Sequence, residues 1–427
     1  MKKQEEKTVC VVGLGYVGLP LAMRSIERGY DVIGFDLDEK KNKLVSQGKN
    51  PIEEEFLDRY FREFKLRATN DAKEIKKADI VLVCVPTPVD EKFFPDLRPV
   101  KGAMEMVAKN LKKGALVVLE STVNPGVSEE VVAPIFKELG HKIGKDVFLA
   151  HCPERINPGD NKWNVTNIPR VVGSFDAKGL GMAKEFYESI VDADIRPMKS
   201  IREAEAVKIV ENSFRDINIA FVNELARSFD KLDIDVKDVI QGASTKPFAF
   251  MAHFPSCGVG GHCIPVDPYY LIERAKESGF DHKFLRIARE INNSMPEYTV
   301  EKLQDALNEI KLPMKGTKVG LLGISYKANV DDVRESPSLK IIELLESYGC
   351  DFEVFDPHIL DKSTVKNLET LLRKSRALIL ATNHDEFLEI DGEMLKKFGV
   401  KVIVDGKNCL DKQKIKKSGI IYKGIGR

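Results

Sequence analysis

The fold of this chain is decided by the stretch TVCVVGLGYVGLP, residues 8–20. Its first five residues are mostly β-branched and apolar, which is typical of a buried parallel strand. Gly13, Gly15 and Gly18 then follow in GxGxxG spacing, and a helical pattern continues to Arg28. Such glycines allow a tight turn and a close approach of a pyrophosphate, which the N-terminus of the helix attracts. The stretch predicts a dinucleotide-binding unit rather than a tight turn that binds nothing.

An acidic residue follows where this unit requires one. The next predicted strand, residues 31–35, ends at Asp36, within about 20 residues of the glycines. Its carboxylate would accept hydrogen bonds from ribose hydroxyls and repel a 2′-phosphate, so the sequence favours NAD over NADP. Three nearby lysines would soften that preference: Lys40, Lys41 and Lys43.

The predicted sheet continues through apolar strands at residues 80–85, 115–119 and 148–151. Thr87, Thr122 and Glu154 stand just beyond their carboxyl ends, where ligands bind to doubly wound sheets. Each of these residues alone is typical of an ordinary turn. Together they predict a cleft that holds cofactor and substrate.

Residues 201–230 form one helical stretch without Pro or Gly. Its apolar residues predict a substantially buried helix. Lys208, Asn212 and Arg215 recur on one face. This polar stripe either faces a pocket or lies on a solvated surface, paired with nearby carboxylates. The carboxylates in question are Glu205 and Glu211.

The helical region extends further, with helices predicted at residues 233–240, 269–278, 282–293 and 296–309. Connectors of this length with spare apolar faces commonly form dimer interfaces, so we expect a homodimer or a higher homo-oligomer. An irregular stretch interrupts these helices and includes Lys246-Pro247-Phe248.

A cysteine stands on a glycine-rich loop, GVGGHCIPVDP at residues 258–268. Its three glycines let the backbone pass close to something bulky, because a Cβ would clash there. A thiol on such a loop can act as a covalent nucleophile, and the alternative is a buried structural cysteine. A metal site formed by Cys257, His262 and Cys263 is disfavoured because no fourth ligand has a usable spacing.

The last part of the chain repeats the strand–helix–strand pattern. Strands are predicted at residues 318–322, 351–355, 377–381 and 400–404, with a helix at 337–348. This part lacks the full GxGxxG and would hold a nucleotide differently from the first. Lys327 and Arg334 supply positive charge near where phosphates would lie, whereas His384 is predicted to cap or pack.

The predicted fold class is α/β, with two Rossmann-like doubly wound parallel sheets joined by a central all-helical domain. We predict an N-terminal NAD-binding domain, a central helical domain with the cysteine loop, and a C-terminal nucleotide-binding domain. Their bounds are residues 1–199, 200–312 and 313–427.

The composition disfavours several classes of protein. The 66 basic and 66 acidic residues balance to zero formal charge, which argues against a general binder of nucleic acid or of anionic membranes. No apolar run approaches the ~18 residues of a membrane span, and the N-terminus has no signal-peptide core. The seven cysteines are scattered without CxxC spacing, so we expect reduced thiols in a cytoplasmic enzyme.

Several long motifs occur together and in order: GLGYVGLP, VPTP, ESTV, HCPER, EAVKIVENSFRDINIAFVNE, GVGGHCIPVDPYYL, GISYKANVDDVRESP and TNHDEF. Over essentially its whole length the chain resembles the UDP-glucose/GDP-mannose dehydrogenases. Val266 stands where the UDP-glucose enzymes carry a lysine, and GGHCIPVDPYYL resembles the branch that acts on UDP-N-acetylhexosamines. The resemblance implies oxidation of the sugar's C6 alcohol to a carboxylate with two NAD. It favours UDP-N-acetyl-D-mannosamine as substrate, with UDP-N-acetyl-D-glucosamine as the alternative.

The resemblance also implies roles for individual residues. Cys263 would trap the aldehyde as a thiohemiacetal and then carry a thioester. Lys208 would donate and accept protons and would stabilise the oxyanion together with Asn212. Asp267 and Glu154 would handle protons or water. The predicted NAD contacts are Gly13, Gly15, Tyr16, Val17, Gly18, Asp36, Lys41, Thr87, Thr122 and Arg334. The predicted substrate contacts are Arg155, Ile156, Lys208, Asn212, Arg215, Gly260, Tyr326 and Lys327.

The chain departs from this branch at Lys246-Pro247-Phe248, where a His-Pro-Arg element is usual, so substrate contacts from that loop are left open. Two other functions fit parts of the sequence. A two-electron 3-hydroxyacid dehydrogenase would share the Rossmann domain and the Lys-x3-Asn pair, but it needs neither the cysteine nor a second nucleotide domain. A non-catalytic nucleotide-sugar or redox-sensing protein would bind its ligand without forming NADH.

Overall fold

The structure, a computed structural model, describes residues 7–52, 55–88, 95–156, 162–261 and 263–427, without the side chains of residues 55 and 56. It divides into two compact units. The first is formed by Met1–Glu211 with Tyr269–Gly279, and the second by Asn212–Pro268 with Phe280–Arg427. Each unit contains a sheet covered by helices, which confirms the predicted α/β class. The three domain boundaries expected from the sequence stay a prediction.

Among its described residues, the first unit contains eight strands: β1 (Thr8–Val12), β2 (Asp31–Phe35), β3 (Arg67–Thr69), β4 (Ile80–Val83), β5 (Ala115–Leu119), β6 (Val147–His151), β7 (Arg170–Ser174) and β8 (Ile195–Pro197). They form one sheet in the order β3-β2-β1-β4-β5-β6-β7-β8. The first six run parallel, whereas β7 pairs antiparallel with β6. The sequence did not predict β3, β7 and β8, which lie towards the edges, and β4 ends at Val83 rather than at Val85.

Helices cover both faces of this sheet: α1 (Gly18–Glu27), α2 (Glu39–Ser46), α3 (Glu55–Glu63), α4 (Arg98–Asn110), α5 (Ala133–Glu138) and α6 (Ala177–Ile190). Successive residues of a strand point to opposite faces. Val9 and Val11 of β1 therefore pack with α1, α3 and α6, whereas Cys10 and Val12 pack with α4 and α5. Because both faces are covered, the central strands are apolar at nearly every position instead of alternating.

One helix of 31 residues, α7 (Ile201–Lys231), contributes residues to both units. Its apolar side chains are not all buried: Val210, Phe214 and Phe221 are 56, 48 and 52% exposed. The prediction of a substantially buried helix is wrong for this stripe. Apolar residues occupy more of the helix circumference than the rest of the chain covers.

The remaining α-helices are α8 (Val236–Ala243), α9 (Asp267–Glu277), α10 (Lys283–Asn293), α11 (Met295–Glu309), α12 (Pro337–Ser347), α13 (Leu368–Lys374), α14 (Gly392–Phe398) and α15 (Lys412–Lys417). Helix α8 begins three residues later than predicted. Asp233 has a φ of 55°, which a helix does not accommodate. Asp235 then caps α8 by accepting the N–H of Lys237 at 3.0 Å.

The second unit contains a parallel sheet of β9 (Lys318–Leu322), β10 (Asp351–Phe355), β11 (Ala377–Leu380), β12 (Val402–Asp405) and β13 (Ile421–Gly424). Its order is β10-β9-β11-β12-β13. The order β10-β9-β11 repeats β2-β1-β4 of the first sheet, which confirms the predicted second strand–helix–strand fold. In both sheets an aspartate ends the second strand and accepts an N–H from the preceding turn: Asp36 from Leu14, and Asp356 from Ile324.

Candidate active site

The glycine-rich turn after β1 is open at its second glycine. Gly13 has a φ of 94°, and a Cβ there would lie 2.7 Å from the carbonyl oxygen of Cys84. A Cβ on Gly18 would lie 1.9 Å from the carbonyl oxygen of Gly13. Gly15, in contrast, has no described atom within 4 Å of its ideal Cβ position. The fold itself requires Gly13 and Gly18. Gly15 faces the open space that a pyrophosphate needs at the start of α1.

Asp36 is held as an anion beside this turn. Its Oδ2 accepts the N–H of Leu14 and the ammonium of Lys41, both at 2.9 Å, and its Oδ1 accepts the N–H of Asp38 at 3.0 Å. Burial alone would raise the pKa of Asp36, but these hydrogen bonds outweigh burial and lower it. The charged carboxylate fits a cofactor with free ribose hydroxyls. Lys41 pairs with it, and the predicted softening of the preference for NAD stays a prediction.

The predicted residues beyond the strand ends are Tyr16 and Val17 after β1, Thr87 after β4, Thr122 after β5 and Glu154 after β6. These four strands are parallel neighbours, so the residues lie along one edge of the first sheet. Thr87 and Thr122 are half-buried. The carbonyl oxygen of Thr87 accepts the hydroxyl of Tyr270 at 2.8 Å. Their contacts with NAD stay a prediction.

Glu154 is buried, and hydrogen bonds fix its carboxylate. Oε1 accepts the N–H groups of Arg155 and Ile156, both at 2.6 Å. Oε2 accepts Nη2 of Arg170 at 2.7 Å. Sequence reasoning missed Arg170 and its second partner, Glu120. An arginine directly before a short apolar run looks like a surface cation, and only the antiparallel pairing of β7 with β6 brings it next to Glu120 and Glu154.

Arg155 and Ile156, predicted to contact the substrate, follow Glu154 at this edge. The guanidinium of Arg155 bonds to Glu211 and to the carbonyl oxygen of Pro169. Ile156 packs against the core of the first unit. Among the described residues these contacts use three of the five N–H donors of the guanidinium, so two are left for a substrate.

Lys208 lies half-buried on α7, and among the described residues its ammonium makes no ion pair. The alternative partners are engaged elsewhere: Glu211 binds Arg155, and Glu205 accepts the N–H groups of Gly126 and Ser128. The surface-pairing interpretation of the polar stripe therefore fails for both glutamates. Lys208 belongs to the first unit and Cys263 to the second. Their juxtaposition stays a prediction.

Within the second unit, Cys263 is tied to Asn212 through the start of α9. The carbonyl oxygen of Cys263 accepts the N–H groups of Asp267 at 2.8 Å and Val266 at 3.1 Å. The carboxylate of Asp267, 3% exposed, accepts Nδ2 of Asn212 at 2.5 Å. Three of the predicted catalytic residues are thus joined by hydrogen bonds. Arg215 is exposed on the same helix and stands apart from this group.

The bulky neighbour of the glycine-rich loop is the turn after β9. A Cβ on Gly260 would lie 2.7 Å from Cβ of Tyr326, and a Cβ on Gly261 would lie 2.8 Å from its ring. Gly258, at a φ of 140°, would meet Pro337 at 2.9 Å. The predicted close approach is confirmed, and it presses the cysteine loop against Tyr326, one of the predicted substrate contacts.

Arg334 lies close to the same loop. Its carbonyl oxygen accepts the N–H of Gly261 at 3.0 Å, and its guanidinium bonds to the carboxylate of Asp332. The hydrogen bond to Asp332 raises the pKa of Arg334, and Cys263 contributes in the same direction. Arg334 is therefore a charged residue that contacts the cysteine loop through its backbone. Lys327 follows Tyr326 in the turn, where its carbonyl oxygen accepts Oγ of Ser325 at 3.0 Å.

The six cysteines other than Cys263 are poor nucleophiles. Burial raises the pKa of Cys10 to about 12, and it raises the pKa of the other five above the ordinary value. Those five are Cys84, Cys152, Cys257, Cys350 and Cys409. A thiol with a raised pKa carries little thiolate at neutral pH.

Ligand atoms of three residues of the second unit lie within 4.8 Å of one another: His358, His384 and Glu386. Both ring nitrogens of buried His384 are already engaged. Nδ1 lies 3.0 Å from the N–H donor of Asn329, and Nε2 lies 2.9 Å from Ser325 and 3.1 Å from Asp356. The ring therefore has no lone pair to offer a cation. His384 packs inside the sheet edge, as the sequence predicted.

The segment at which the chain departs from the N-acetylhexosamine branch, Lys246-Pro247-Phe248, lies after α8. The Lys246 ammonium is 4.9 Å from the ring centroid of exposed Phe248. His262, which the sequence placed in a disfavoured metal site, lies outside the described residues. Within the described ranges, none of the helices combines the length and the apolar character that a membrane crossing requires.

Three family models match the chain in succession. Residues 7–191 match the NAD binding domain of the UDP-glucose/GDP-mannose dehydrogenase family, residues 202–294 its central domain, and residues 320–412 its UDP binding domain. The NAD binding domain contains the open glycine turn and Asp36. The protein therefore uses NAD.

Relatives of this chain extend over its full length. The UDP-N-acetyl-D-mannosamine dehydrogenase of Pyrococcus horikoshii is 35% identical over 424 residues, which cover 98% of this chain and 99% of the relative. The UDP-N-acetyl-D-glucosamine 6-dehydrogenase of Pseudomonas aeruginosa is 35% identical over 415 residues, covering 95% and 98%. A solved UDP-D-ManNAc dehydrogenase from Pyrococcus horikoshii matches with a TM-score of 0.92 at 34% identity, covering 98% and 99%. This chain belongs to the UDP-glucose/GDP-mannose dehydrogenase family and is an NAD-dependent nucleotide-sugar dehydrogenase.

Proposed function

We propose that this protein oxidises the C6 hydroxyl of UDP-N-acetyl-D-mannosamine to a carboxylate in two two-electron steps, with Cys263 as covalent nucleophile. NAD, when bound, supplies the hydride acceptor for both steps. The observation that carries the proposal is the hydrogen-bonded group of Cys263, Asp267 and Asn212. It ties the backbone of Cys263 to a buried carboxylate that an amide holds in place, while burial raises the pKa of every other thiol.

In the proposed reaction, the aldehyde formed first is attacked by the sulfur of Cys263. A C–S bond forms, and the aldehyde oxygen takes a proton to give a thiohemiacetal. Loss of a hydride from this carbon and of the hydroxyl proton leaves a thioester. Water then adds to the acyl carbon and the C–S bond breaks, which releases the uronate and restores the thiol.

The other predicted residues have complementary parts. Lys208 takes the proton of the C6 hydroxyl and returns it to the oxygen of the thiohemiacetal. Asn212 donates one N–H of its amide to Asp267, and its second amide N–H donates to the developing oxyanion. Asp267 and Glu154 accept protons from the hydrolytic water and return them. Tyr326 and Lys327 bind the nucleotide-sugar, a role supported by the match of their region to a UDP binding domain.

A two-electron 3-hydroxyacid dehydrogenase fits less well. Such an enzyme needs neither the cysteine loop nor a second nucleotide domain, and this chain matches a UDP binding domain at residues 320–412. The stronger competitor is a UDP-N-acetyl-D-glucosamine 6-dehydrogenase, because a relative with that name is as identical to this chain as the mannosamine enzyme. We favour mannosamine because the relative of that name covers 98% of this chain, against 95% for the glucosamine enzyme, and because a solved UDP-D-ManNAc dehydrogenase matches this fold with a TM-score of 0.92.

The test is to incubate purified protein with NAD and one nucleotide-sugar at a time, and to count NADH per acid formed. The panel contains UDP-linked N-acetylmannosamine, N-acetylglucosamine, N-acetylgalactosamine and glucose. We expect two NADH per acid and the highest kcat/KM with N-acetylmannosamine. Cys263→Ala should abolish acid formation, whereas Cys409→Ala, a change at a partly buried thiol of the same unit, should leave it intact. A ratio of one NADH, or acid formation by Cys263→Ala, would remove the thioester mechanism.

The proposal includes a homodimer or a higher homo-oligomer in the cytoplasm. Apolar side chains of the second unit are exposed on α7 and α10: Phe214, Phe221, Phe284 and Ile287. Exposed apolar patches of this kind mark interaction surfaces more often than free surface. A second copy of the chain is the partner that we propose.

A further inference from the structure

A buried cluster of charged residues lies behind Glu154 and has no part in the chemistry described so far. Arg170 is 1% exposed, and its guanidinium joins two carboxylates. Nη1 lies 3.0 Å from Oε2 of Glu120, and Nη2 lies 2.7 Å from Oε2 of Glu154. Tyr187 of α6 donates its hydroxyl to Oε1 of Glu120. The guanidinium carbon of Arg170 also lies over the ring of Tyr187, 5.4 Å from its centroid.

These contacts leave Glu154 one position at which to accept a proton. Each carboxylate oxygen offers about two lone-pair sites. Both sites of Oε1 are occupied by the N–H groups of Arg155 and Ile156. Oε2 accepts a hydrogen bond from Arg170 alone among the described residues. The direction from which Arg170 approaches therefore decides where the remaining lone pair of Glu154 points.

In this cluster the carboxylates of Glu120 and Glu154 share the single guanidinium of Arg170. Both carboxylates bond to Arg170, so each takes a share of its charge. Burial raises the pKa of Glu120 to about 7, with Arg170 opposing the rise and Glu154 adding to it. The two carboxylates therefore compete for one buried cation.

We propose that Arg170 and Glu120 are positioning residues for hydrolysis of the thioester: Arg170 orients Oε2 of Glu154, and Glu120 holds Arg170 in place and shares its charge. This inference rests on the proposed function, from which it takes the thioester on Cys263 and the role of Glu154. In the step, the water oxygen bonds to the acyl carbon and a water proton goes to Oε2 of Glu154. The C–S bond breaks, and that proton then passes to the sulfur.

Single-turnover reactions of the full-length protein test the proposal. NADH is followed by absorbance, and the acyl-enzyme by intact mass after an acid quench. In Glu120→Gln and in Arg170→Lys, we expect NADH formation to stay within about twofold of wild type, while decay of the acyl-enzyme slows about three- to tenfold. KM for both substrates should stay unchanged. A merely structural role would lower both rates together.

Glu185→Gln is the matched control, because it makes the same Glu→Gln change on α6 at a side chain that is 77% exposed and lies outside the cluster, so the ratio of the two rates should stay at the wild-type value. Glu154→Gln is the reference, with decay slowed about 10²-fold. If Glu154→Gln forms no adduct, the proposed function is overturned and this inference with it. If its adduct persists while both Glu120→Gln and Arg170→Lys decay at the wild-type rate, the positioning role alone is overturned. Arg170→Lys decides the question if Glu120→Gln does not fold.

Discussion

Replacing Gly261 with alanine should destabilise the second unit and slow turnover, because the new Cβ would lie 2.8 Å from the ring of Tyr326. The φ of 90° at this position costs alanine about 1–2 kcal/mol. The overlap with the ring adds about 1–3 kcal/mol, as overpacking typically does. We therefore expect an unfolding free energy lower by about 2–5 kcal/mol, since the two costs add.

Gly399→Ala is the matched control. Gly399 ends α14 in the same unit with a φ of 80°, and no described atom lies within 4 Å of its ideal Cβ position. It should show the backbone cost of about 1–2 kcal/mol without the overlap. The two variants should then differ in melting temperature by about 2–4 °C for each kcal/mol of overlap, for a unit of roughly 200 residues.

The overlap can be isolated by a double-mutant cycle with Tyr326→Ala. All three atoms nearest to the ideal Cβ of Gly261 belong to the ring of Tyr326, so its removal abolishes the clash. Gly261→Ala in the Tyr326→Ala background should cost about 1–3 kcal/mol less than in the wild type. Denaturant unfolding gives the free energies. Steady-state NADH formation by Gly261→Ala should fall by about 10²-fold if the cysteine loop shifts by roughly 1 Å.

Two results would refute this reasoning. The first is a Gly261→Ala protein as stable and as active as Gly399→Ala, which would mean that the loop does not pack on the ring. The second is a coupling free energy of zero in the cycle with Tyr326→Ala. Either would remove the physical reason given for the glycines of this loop.

Three further predictions follow from other parts of the molecule. Asp36→Asn should raise KM for NAD by about tenfold, because it removes the charge that selects ribose hydroxyls, whereas Lys41→Met should sharpen the preference for NAD over NADP. Steady-state kinetics with both cofactors measures these effects. Equal KM values for NAD in wild type and Asp36→Asn would contradict the role of Asp36. Burial would raise the pKa of Asp356, but hydrogen bonds from His384 and from the Ser325 and Ile324 N–H groups lower it instead. A depressed pKa gives stability that is present above the unfolded value of about 3.9 and is lost as pH falls, so the stability gap between wild type and Asp356→Asn should narrow below about pH 4 in denaturant titrations. Phe214→Lys should lower the molar mass measured by light scattering after gel filtration. Leu360→Lys, which changes another exposed apolar side chain of the second unit, 61% exposed, should leave the mass unchanged. An unchanged mass for Phe214→Lys would exclude the exposed apolar residues of α7 and α10 as the interface.

Much of the fold could be predicted because it depends on local pattern. The runs at β1, β2 and β5 are apolar and end at glycine or polar turns, and their bounds agree with the strands as folded. Edge strands escaped prediction: β3 and β8 have three residues each, too few to show a period. The start of α8 was predicted too early because the local sequence pattern does not show that Asp233 has a positive φ. That φ is a property of the folded turn.

By itself the sequence determined the glycine turn, the acid at the end of β2, the cysteine on a stiff loop and the repeat of the strand–helix–strand fold, since each depends on residues close together in the chain. Only the tertiary structure decided what those residues touch. Tyr326 meets the glycines of the cysteine loop, and Arg170 joins Glu120 to Glu154 beneath the first sheet edge. Such contacts bring together residues many positions apart. Their energies come from burial and shared hydrogen bonds, which exist only once the chain has folded.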